Sequence, residues 1–196
     1  MQAAYVGTLA DVLVPRTGDR SRDLIRDVAL VVSCMVVMTL LAQVRIPLPF
    51  TPVPITGQTF GALLAGAALG RTRGASGIGL YLVLGSVGLP VFAGWTSGPV
   101  WTLASGGYLI GFVAAAYVVG WLAERGWDRR PLVLVAMLIG NIIIYIPGLL
   151  QLSFFVPEGR VLEFGLWPFI PGDLVKLYLA SMLLPGTWAL VRRLRS

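Results

Sequence analysis

The stretch 168-PFIPGDLVKLYLA-180 places an acidic and a basic side chain, Asp173 and Lys176, in a segment that is otherwise apolar enough to lie in a membrane. The two residues are three positions apart, so on a helix they share one face. Pro171 and Gly172 mark the start of that helix and put the pair in its first two turns. Each charge would cost about 2.5 to 3.5 kcal/mol at the centre of a membrane helix and less near its end. The pair therefore indicates a polar cavity rather than contact with lipid.

The composition extends this interpretation to the whole chain. Its 196 residues are 57% hydrophobic and 12% charged, with a mean hydropathy of +0.83, whereas soluble domains are about 25% charged. We predict an all-α integral membrane protein with one bundle of six transmembrane helices. The second of these is short and glycine-rich, so we expect it to be tilted, broken or partly re-entrant. The apolar runs predict spans at 26–45, 55–70, 75–92, 105–123, 131–150 and 169–191.

The basic residues predict the orientation. Six spans put both termini on one side of the membrane, and that side carries most of the arginines, which is typical of the cytoplasmic side. The opposite side has Arg45 and Arg160, with Lys176 inside the last span. The net charge of +6 is thus a topology signal, and we predict no nucleic-acid partner. The cytoplasmic set is Arg16, Arg20, Arg22, Arg26, Arg71, Arg73, Arg125, Arg129, Arg130, Arg192, Arg193 and Arg195.

The same pattern predicts the domain organisation. Residues 1–23 lack a basic start followed directly by an apolar core, so they do not resemble a cleaved signal peptide. We expect them to form a mobile cytoplasmic tail, and residues 24–196 to form the six-helix membrane domain.

Several kinds of chemistry are disfavoured by residue usage. Histidine is absent and Cys34 is the only cysteine, which rules out a disulfide within the chain and disfavours zinc and iron sites. We therefore predict no metal and no cofactor. The sequence also lacks the G-x-x-x-x-G-K-[ST] pattern of a P-loop, so energy from ATP would have to come from a partner.

A second stretch could line the same cavity. In 50-FTPVPITGQTFGALLAG-66, Gly57, Gly61 and Ala65 recur every fourth residue and permit close approach of another helix. Gln58 would lie near the outer membrane surface. It could contact a ligand or form a hydrogen bond between helices.

The outer loop before the fourth span carries further candidates. Phe92 and Trp95 lie in a charge-free stretch, where aromatic residues either anchor the chain at the membrane interface or form walls of a pocket. Gly107 begins a ridge of small residues on the fourth span. Tyr108, beside that ridge, could place its hydroxyl in the pocket.

The fifth span contains Asn141 and Tyr145 at an i, i+4 spacing, just before Pro147 interrupts it. A buried asparagine among isoleucines requires a polar partner, which could be another helix or a ligand.

Four segments resemble signature segments of the BioY family, the biotin-binding substrate components of energy-coupling factor (ECF) transporters. They occur in the expected order, and they are spread over nearly all of the range 50–180. The segments are 51-TPVPITGQTFGALLAG-66, 81-YLVLGSVGLPVFAG-94, 106-GGYLIGF-112 and 168-PFIPGDLVK-176.

The resemblance implies a function and a set of partners. It implies a multi-pass protein of a prokaryotic plasma membrane that captures biotin from the outer face. The expected partners are a transmembrane coupling subunit and two cytoplasmic ATPases. Ala29 and Ser33 form a small-x-x-x-small step similar to the motif by which such components meet the coupling subunit.

The resemblance also implies roles for individual residues. Asp173 and Lys176 match an acid and a base that contact the polar ring of biotin, whose ureido group offers N–H to the acid and a carbonyl to the base. Gln58, Gly107 and Tyr108 match positions near the ligand.

The chain departs from the family pattern in the outer loop. Residues 103–108 read LASGGY where the family often has GPTGGY, and the loop 93–100 has no basic residue for the biotin carboxylate. Arg45, Thr96 or backbone N–H groups are the open candidates for that contact.

Three alternatives to biotin capture are open. The chain could bind another small vitamin, or it could be an intramembrane enzyme that uses Asp173 and Lys176 as acid and base. The enzyme hypothesis lacks a convincing nucleophile or metal set. The third alternative is a structural membrane subunit without a ligand.

Overall fold

The computed structural model describes residues 7–129 and 131–194. Residues 1–6 of the expected tail, and Arg130 and Arg195 of the cytoplasmic arginines, lie outside the described residues. Within the described part the fold is helical, with a short antiparallel pair of strands, β1 (Arg45–Ile46) and β2 (Ile55–Thr56). The helices are α1 (Leu9–Leu13), α2 (Arg20–Gln43), α3 (Gln58–Leu69), α4 (Arg71–Ser86), α5 (Gly106–Ala123), α6 (Val133–Leu152), α7 (Val161–Gly165) and α8 (Ile170–Leu194).

Each of the six apolar runs overlaps one helix. The helices α2, α5 and α6, and residues Ile170–Val191 of α8, are long and apolar enough to cross a membrane. This agrees with the predicted class of helical membrane protein. α3 has 12 residues, which corresponds to about 18 Å at 1.5 Å per residue and is shorter than a hydrocarbon core of about 30 Å. The expectation of a short second segment is therefore confirmed.

The predicted third span, 75–92, extends beyond the end of the observed helix α4. α4 stops at Ser86, so residues 87–92 form a loop rather than part of a span. Gly88 adopts a φ of +108°, a left-handed conformation that a helix does not contain and that glycine adopts without steric cost. This turn redirects the chain before Pro90.

Helix α5 is the centre of the bundle. Of its 18 residues, 67% are buried inside the protein, compared with 11% in an apolar 18-residue stretch of α2. Its small residues allow this: a Cβ atom added to Gly111 would lie 2.8 Å from the Cα atom of Ile144 on α6. On another face of α5, the carbonyl oxygen of Ala116 lies 2.4 Å from the Cβ position of Gly66 on α3. The predicted small-residue ridge is thus a real packing surface.

A cluster of charges joins three helices at the N-terminal end of α2. The Oδ1 atom of Asp11, in α1, lies 3.1 Å from Nη2 of Arg26 in α2 and 2.7 Å from Nη2 of Arg73 in α4. Arg26 also donates a hydrogen bond to the carbonyl oxygen of Ala10 at 3.0 Å. Part of the segment that we expect to be a tail is therefore packed against the bundle. The mobility of residues 1–23 and the boundary at residue 24 stay predictions.

We expect the Asp11→Asn variant to be less stable than the wild type at neutral pH. Burial opposes ionisation of Asp11, but hydrogen bonds from Thr8 and Arg73 and the charge of Arg73 lower its pKa from 3.8 to about 2. A lowered pKa contributes stability that is present above pH 4 and is lost as the pH falls towards about 2. Because the side chain is 32% exposed, solvent screening limits the contribution to about 1 kcal/mol. Thermal unfolding in detergent should show a difference between the proteins at pH 7 that shrinks below pH 4. A difference that is constant down to pH 2 would contradict this assignment.

Candidate functional site

A cavity opens at the end of the bundle where α2 ends and α8 begins, which we call the pocket end. It contains about 530 Å³ of space not occupied by atoms, part of it open to solvent. Its walls combine apolar and polar side chains. They are formed by Val53, Pro54, Thr56, Gln58, Thr59, Ala93, Ser105, Tyr108, Leu109, Phe112, Ile144, Tyr145, Phe169, Asp173 and Lys176.

Asp173 and Lys176 line this cavity as an ion pair on the first turns of α8. Lys176 Nζ donates to Asp173 Oδ1 at 3.1 Å, and the side chains are 16% and 9% exposed respectively. The hydroxyl of Tyr145 donates to the other carboxylate oxygen of Asp173. Each carboxylate oxygen can accept another hydrogen bond, and the ammonium has further N–H groups to donate. The pair can therefore bind a group that carries both donors and an acceptor.

Gln58 contributes an anchored amide at the first residue of α3. Its Nε2 atom donates to the hydroxyl oxygen of Tyr81 on α4 at 2.7 Å, and the Thr56 hydroxyl donates to its Oε1 atom at 3.1 Å. The amide thus joins two helices and also faces the cavity. Both roles considered for Gln58 are compatible with this geometry, because the amide keeps one donor and one acceptor position.

Tyr108 forms another part of the cavity wall. Its hydroxyl donates to the carbonyl oxygen of Gly165 at 2.8 Å, and its ring meets that of Tyr145 edge to face at 6.0 Å between centroids. Gly107, the residue before it, is outside the lining. A Cβ atom on Gly107 would lie 2.0 Å from the carbonyl oxygen of Pro147, so this glycine brings the wall helices α5 and α6 together.

Three other candidates lie outside the lining. Phe92 is buried against the Tyr81 ring at 5.3 Å between centroids. Trp95 is 61% exposed, with a φ of +59°. Asn141 is buried, and within the described residues its Oδ1 atom has no hydrogen-bond partner. Of the nine candidates, the structure places these five around one cavity: Gln58, Tyr108, Tyr145, Asp173 and Lys176.

Gln43, the last residue of α2, holds the loop that borders the cavity, a role that was not predicted from the sequence. Its Oε1 atom accepts hydrogen bonds from the backbone N–H groups of Gly94 and Trp95 at 3.0 and 3.1 Å. Its Nε2 atom donates to the carbonyl oxygen of Phe92 at 3.1 Å. The loop residue Ala93 lines the cavity. The only signal for Gln43 in the sequence is a polar residue at the end of an apolar run, which many spans share.

Across residues 7–129 and 131–194, no group of three His, Cys, Asp or Glu side chains is placed to hold a metal ion. The cavity instead offers one acid, one base, hydroxyl and amide groups, and apolar walls. These groups suit a small polar molecule with an apolar body.

The chain is similar to a solved structure described as the S-component for biotin from an ECF-type ABC transporter, a crystal structure at 2.1 Å. The two share 28% sequence identity with a TM-score of 0.72, and the match covers 91% of this chain and 95% of the other. A search of curated proteins found no match.

The sequence model of the BioY family matches residues 11–193. This range includes α2 to α7 and nearly all of α8, as well as every residue that lines the cavity. The resemblance to the BioY family, first indicated by the four signature segments, is therefore confirmed over nearly the whole chain. The protein belongs to the BioY family.

Proposed function

We propose that the protein is the biotin-binding component of an ECF transporter and functions in biotin uptake. The observation that carries this proposal is the Asp173–Lys176 pair beside a cavity, in a chain that matches the BioY family from residue 11 to residue 193. The similarity to a biotin S-component supports the same ligand. Together they indicate a substrate-binding transport subunit and not an enzyme.

The chemistry of the cavity fits the parts of biotin. The ureido ring offers N–H groups to the Asp173 carboxylate, and its carbonyl oxygen can accept from the Lys176 ammonium. The amide of Gln58, which also lines the cavity, can supply a further polar contact. The apolar thioether ring and chain suit Leu109, Phe112 and other apolar residues of the lining.

We propose six membrane segments formed by α2, α3, α4, α5, α6 and α8, of which α3 is shorter than the hydrocarbon core. Both termini are cytoplasmic in this proposal and the pocket end is outside. The support is the distribution of arginines, because Arg26 and Arg73 lie in the charge cluster at the end opposite the cavity. Biotin would thus enter from outside a prokaryotic plasma membrane. Cysteine accessibility at the loop residue Thr96 and at Arg125 would test this orientation.

The proposed partners are a coupling subunit and two cytoplasmic ATPases, together with the surrounding lipid bilayer. Ala29 and Ser33 lie on the exposed side of α2, where small residues would let a partner helix approach closely. This contact remains part of the proposal. A contact between biotin and Phe92, Trp95, Gly107 or Asn141 stays a prediction, because these four residues lie outside the cavity lining.

The direct test is saturable binding of labelled biotin to the detergent-purified full-length protein, with unlabelled vitamins as competitors. We expect unlabelled biotin to compete and thiamine and riboflavin not to compete. Competition by another vitamin but not by biotin would identify that vitamin as the ligand. Absence of saturable binding would favour a structural subunit, and chemically altered ligand in mass spectra would favour an enzyme.

We expect Tyr145→Phe to bind biotin about threefold to tenfold more weakly than the wild type. The change removes the hydroxyl that donates to Asp173, a bond to a charged group, while keeping the ring that packs against Tyr108. Tyr117→Phe is the matched control because Tyr117 is 47% exposed and lies outside the cavity lining. Equal biotin affinity for Tyr145→Phe and the wild type would show that this hydroxyl does not orient the acid for binding.

A further inference from the structure

Arg45 differs from the other basic residues near the pocket end. Arg160 forms two hydrogen bonds with Glu163 at 2.8 and 2.6 Å, and Lys176 is paired with Asp173. Among residues 7–129 and 131–194, no carboxylate lies within ion-pair distance of Arg45. Its positive charge is therefore available to an anion from outside the chain.

The strand pairing places Arg45 at the rim of the cavity. Arg45 of β1 is directly opposite Thr56 of β2, and side chains at directly opposed positions lie on the same face of an antiparallel pair. Thr56 lines the cavity. The side chain of Arg45 therefore leaves the ribbon on the cavity face.

The contact with the loop fixes the position of the guanidinium group. A Cβ atom added to Gly94 would lie 2.5 Å from Nη1 and 2.6 Å from Cζ of Arg45. The guanidinium thus rests on the backbone of Gly94, the neighbour of the lining residue Ala93. It thus connects the β1–β2 ribbon to the loop that contains the lining residue Ala93.

The other open candidates for an anion contact already have partners. The Thr96 hydroxyl donates to the carbonyl oxygen of Ala93 at 3.1 Å. The backbone N–H groups of Gly94 and Trp95 both donate to Gln43. Among these groups, Arg45 is the donor that has no competing bond.

We propose that Arg45 binds the carboxylate at the end of the flexible tail of biotin. This inference rests on the proposed function, in which Asp173 and Lys176 hold the ureido ring. The tail then extends from the buried pair towards the open rim, where its charge meets the guanidinium. The planar guanidinium presents two N–H groups in the geometry of a carboxylate, which lysine does not.

The test compares biotin with biotin amide, a ligand whose tail is neutral and of nearly the same size. Equilibrium binding of both is measured with wild type, Arg45→Met and Arg160→Met. Methionine keeps a long apolar side chain without the charge, and Arg160 is a pocket-end arginine whose charge is already paired with Glu163. We expect the wild type and Arg160→Met to prefer biotin by about tenfold, the order of a charge-assisted pair at a partly exposed site. We expect Arg45→Met to bind the two ligands about equally.

The outcomes separate this inference from the proposed function. Failure of the wild type to bind biotin would refute the function itself. If biotin binds but the wild type shows no preference over the amide, or Arg45→Met keeps the preference, the role of Arg45 is refuted. Equal loss of affinity for both ligands in Arg45→Met would likewise assign Arg45 to the support of the loop and overturn the inference.

Discussion

The Asp173→Asn variant should bind biotin about 100-fold more weakly than the wild type while keeping its fold. Asparagine has the same shape but no charge, so Lys176, whose side chain is 16% exposed, loses its counter-ion. The change also takes a charged acceptor away from the ureido N–H groups. A hydrogen bond to a charged group contributes about 1.5 to 3 kcal/mol, and a loss near the upper value corresponds to about 100-fold in affinity. Binding of labelled biotin to purified protein measures the effect.

Glu163→Gln is the matched control for this variant. Glu163 is also an acid near the pocket end and is paired with a base, Arg160, but its side chain is 57% exposed and lies outside the cavity lining. We expect Glu163→Gln to bind biotin as the wild type does. Lys176→Ala should lose binding to a similar extent as Asp173→Asn. A folded Asp173→Asn protein with wild-type affinity would contradict the assignment of the pair.

The second large effect is expected for Gly107→Ala, which should lower the free energy of unfolding by about 3 kcal/mol. The new Cβ atom would lie 2.0 Å from the carbonyl oxygen of Pro147 and 2.7 Å from its carbonyl carbon. These are backbone atoms, so no side-chain rotation can relieve the overlap, and α5 and α6 must move apart. Overpacking of this kind typically costs about 1 to 3 kcal/mol, and sometimes more. Because Tyr108 and Tyr145 line the cavity from these two helices, biotin affinity should fall as well.

Gly79→Ala provides the matched control for the helix substitution. Gly79 also lies within a helix, α4, but a Cβ atom there would have nothing within 4 Å. Both variants gain the same helix propensity from alanine, so the difference in their thermal unfolding in detergent isolates the overlap at Pro147. Equal unfolding temperatures for Gly107→Ala and Gly79→Ala would show that α5 and α6 can separate at little cost.

The sequence predicted the helices well because apolar runs and small-residue spacing are local signals. The ridge beginning at Gly107 and the short α3 are examples, and so is the placement of Asp173 in the first turn of α8. The packing of α1 could not be predicted, because a helix of five residues has too few turns for a periodic pattern. Its burial depends on Arg26 and Arg73, which come from two other helices.

Within the candidate site, the residues predicted from helix faces reached the cavity more often than those predicted from loops. Asp173, Lys176 and Tyr145 lie on helices, where spacing along the chain determines which side chains share a face. Phe92 and Trp95 lie in a loop, where the direction of a side chain depends on turn geometry and distant hydrogen bonds. The bonds from Gln43 that set this loop connect residues about 50 positions apart, so no local pattern contains them.

The arrangement at the two ends of α2 has a mechanical consequence. Only 11% of an apolar 18-residue stretch of α2 is buried. Both ends of the helix are nevertheless attached to the rest of the protein. Gln43 at one end holds the loop beside the cavity, and Arg26 near the other end is part of the charge cluster. A sideways or tilting displacement of α2 would therefore pull on the cavity mouth through Gln43. A neighbouring protein that presses on the outer surface of α2 could in this way alter vitamin retention without touching the vitamin.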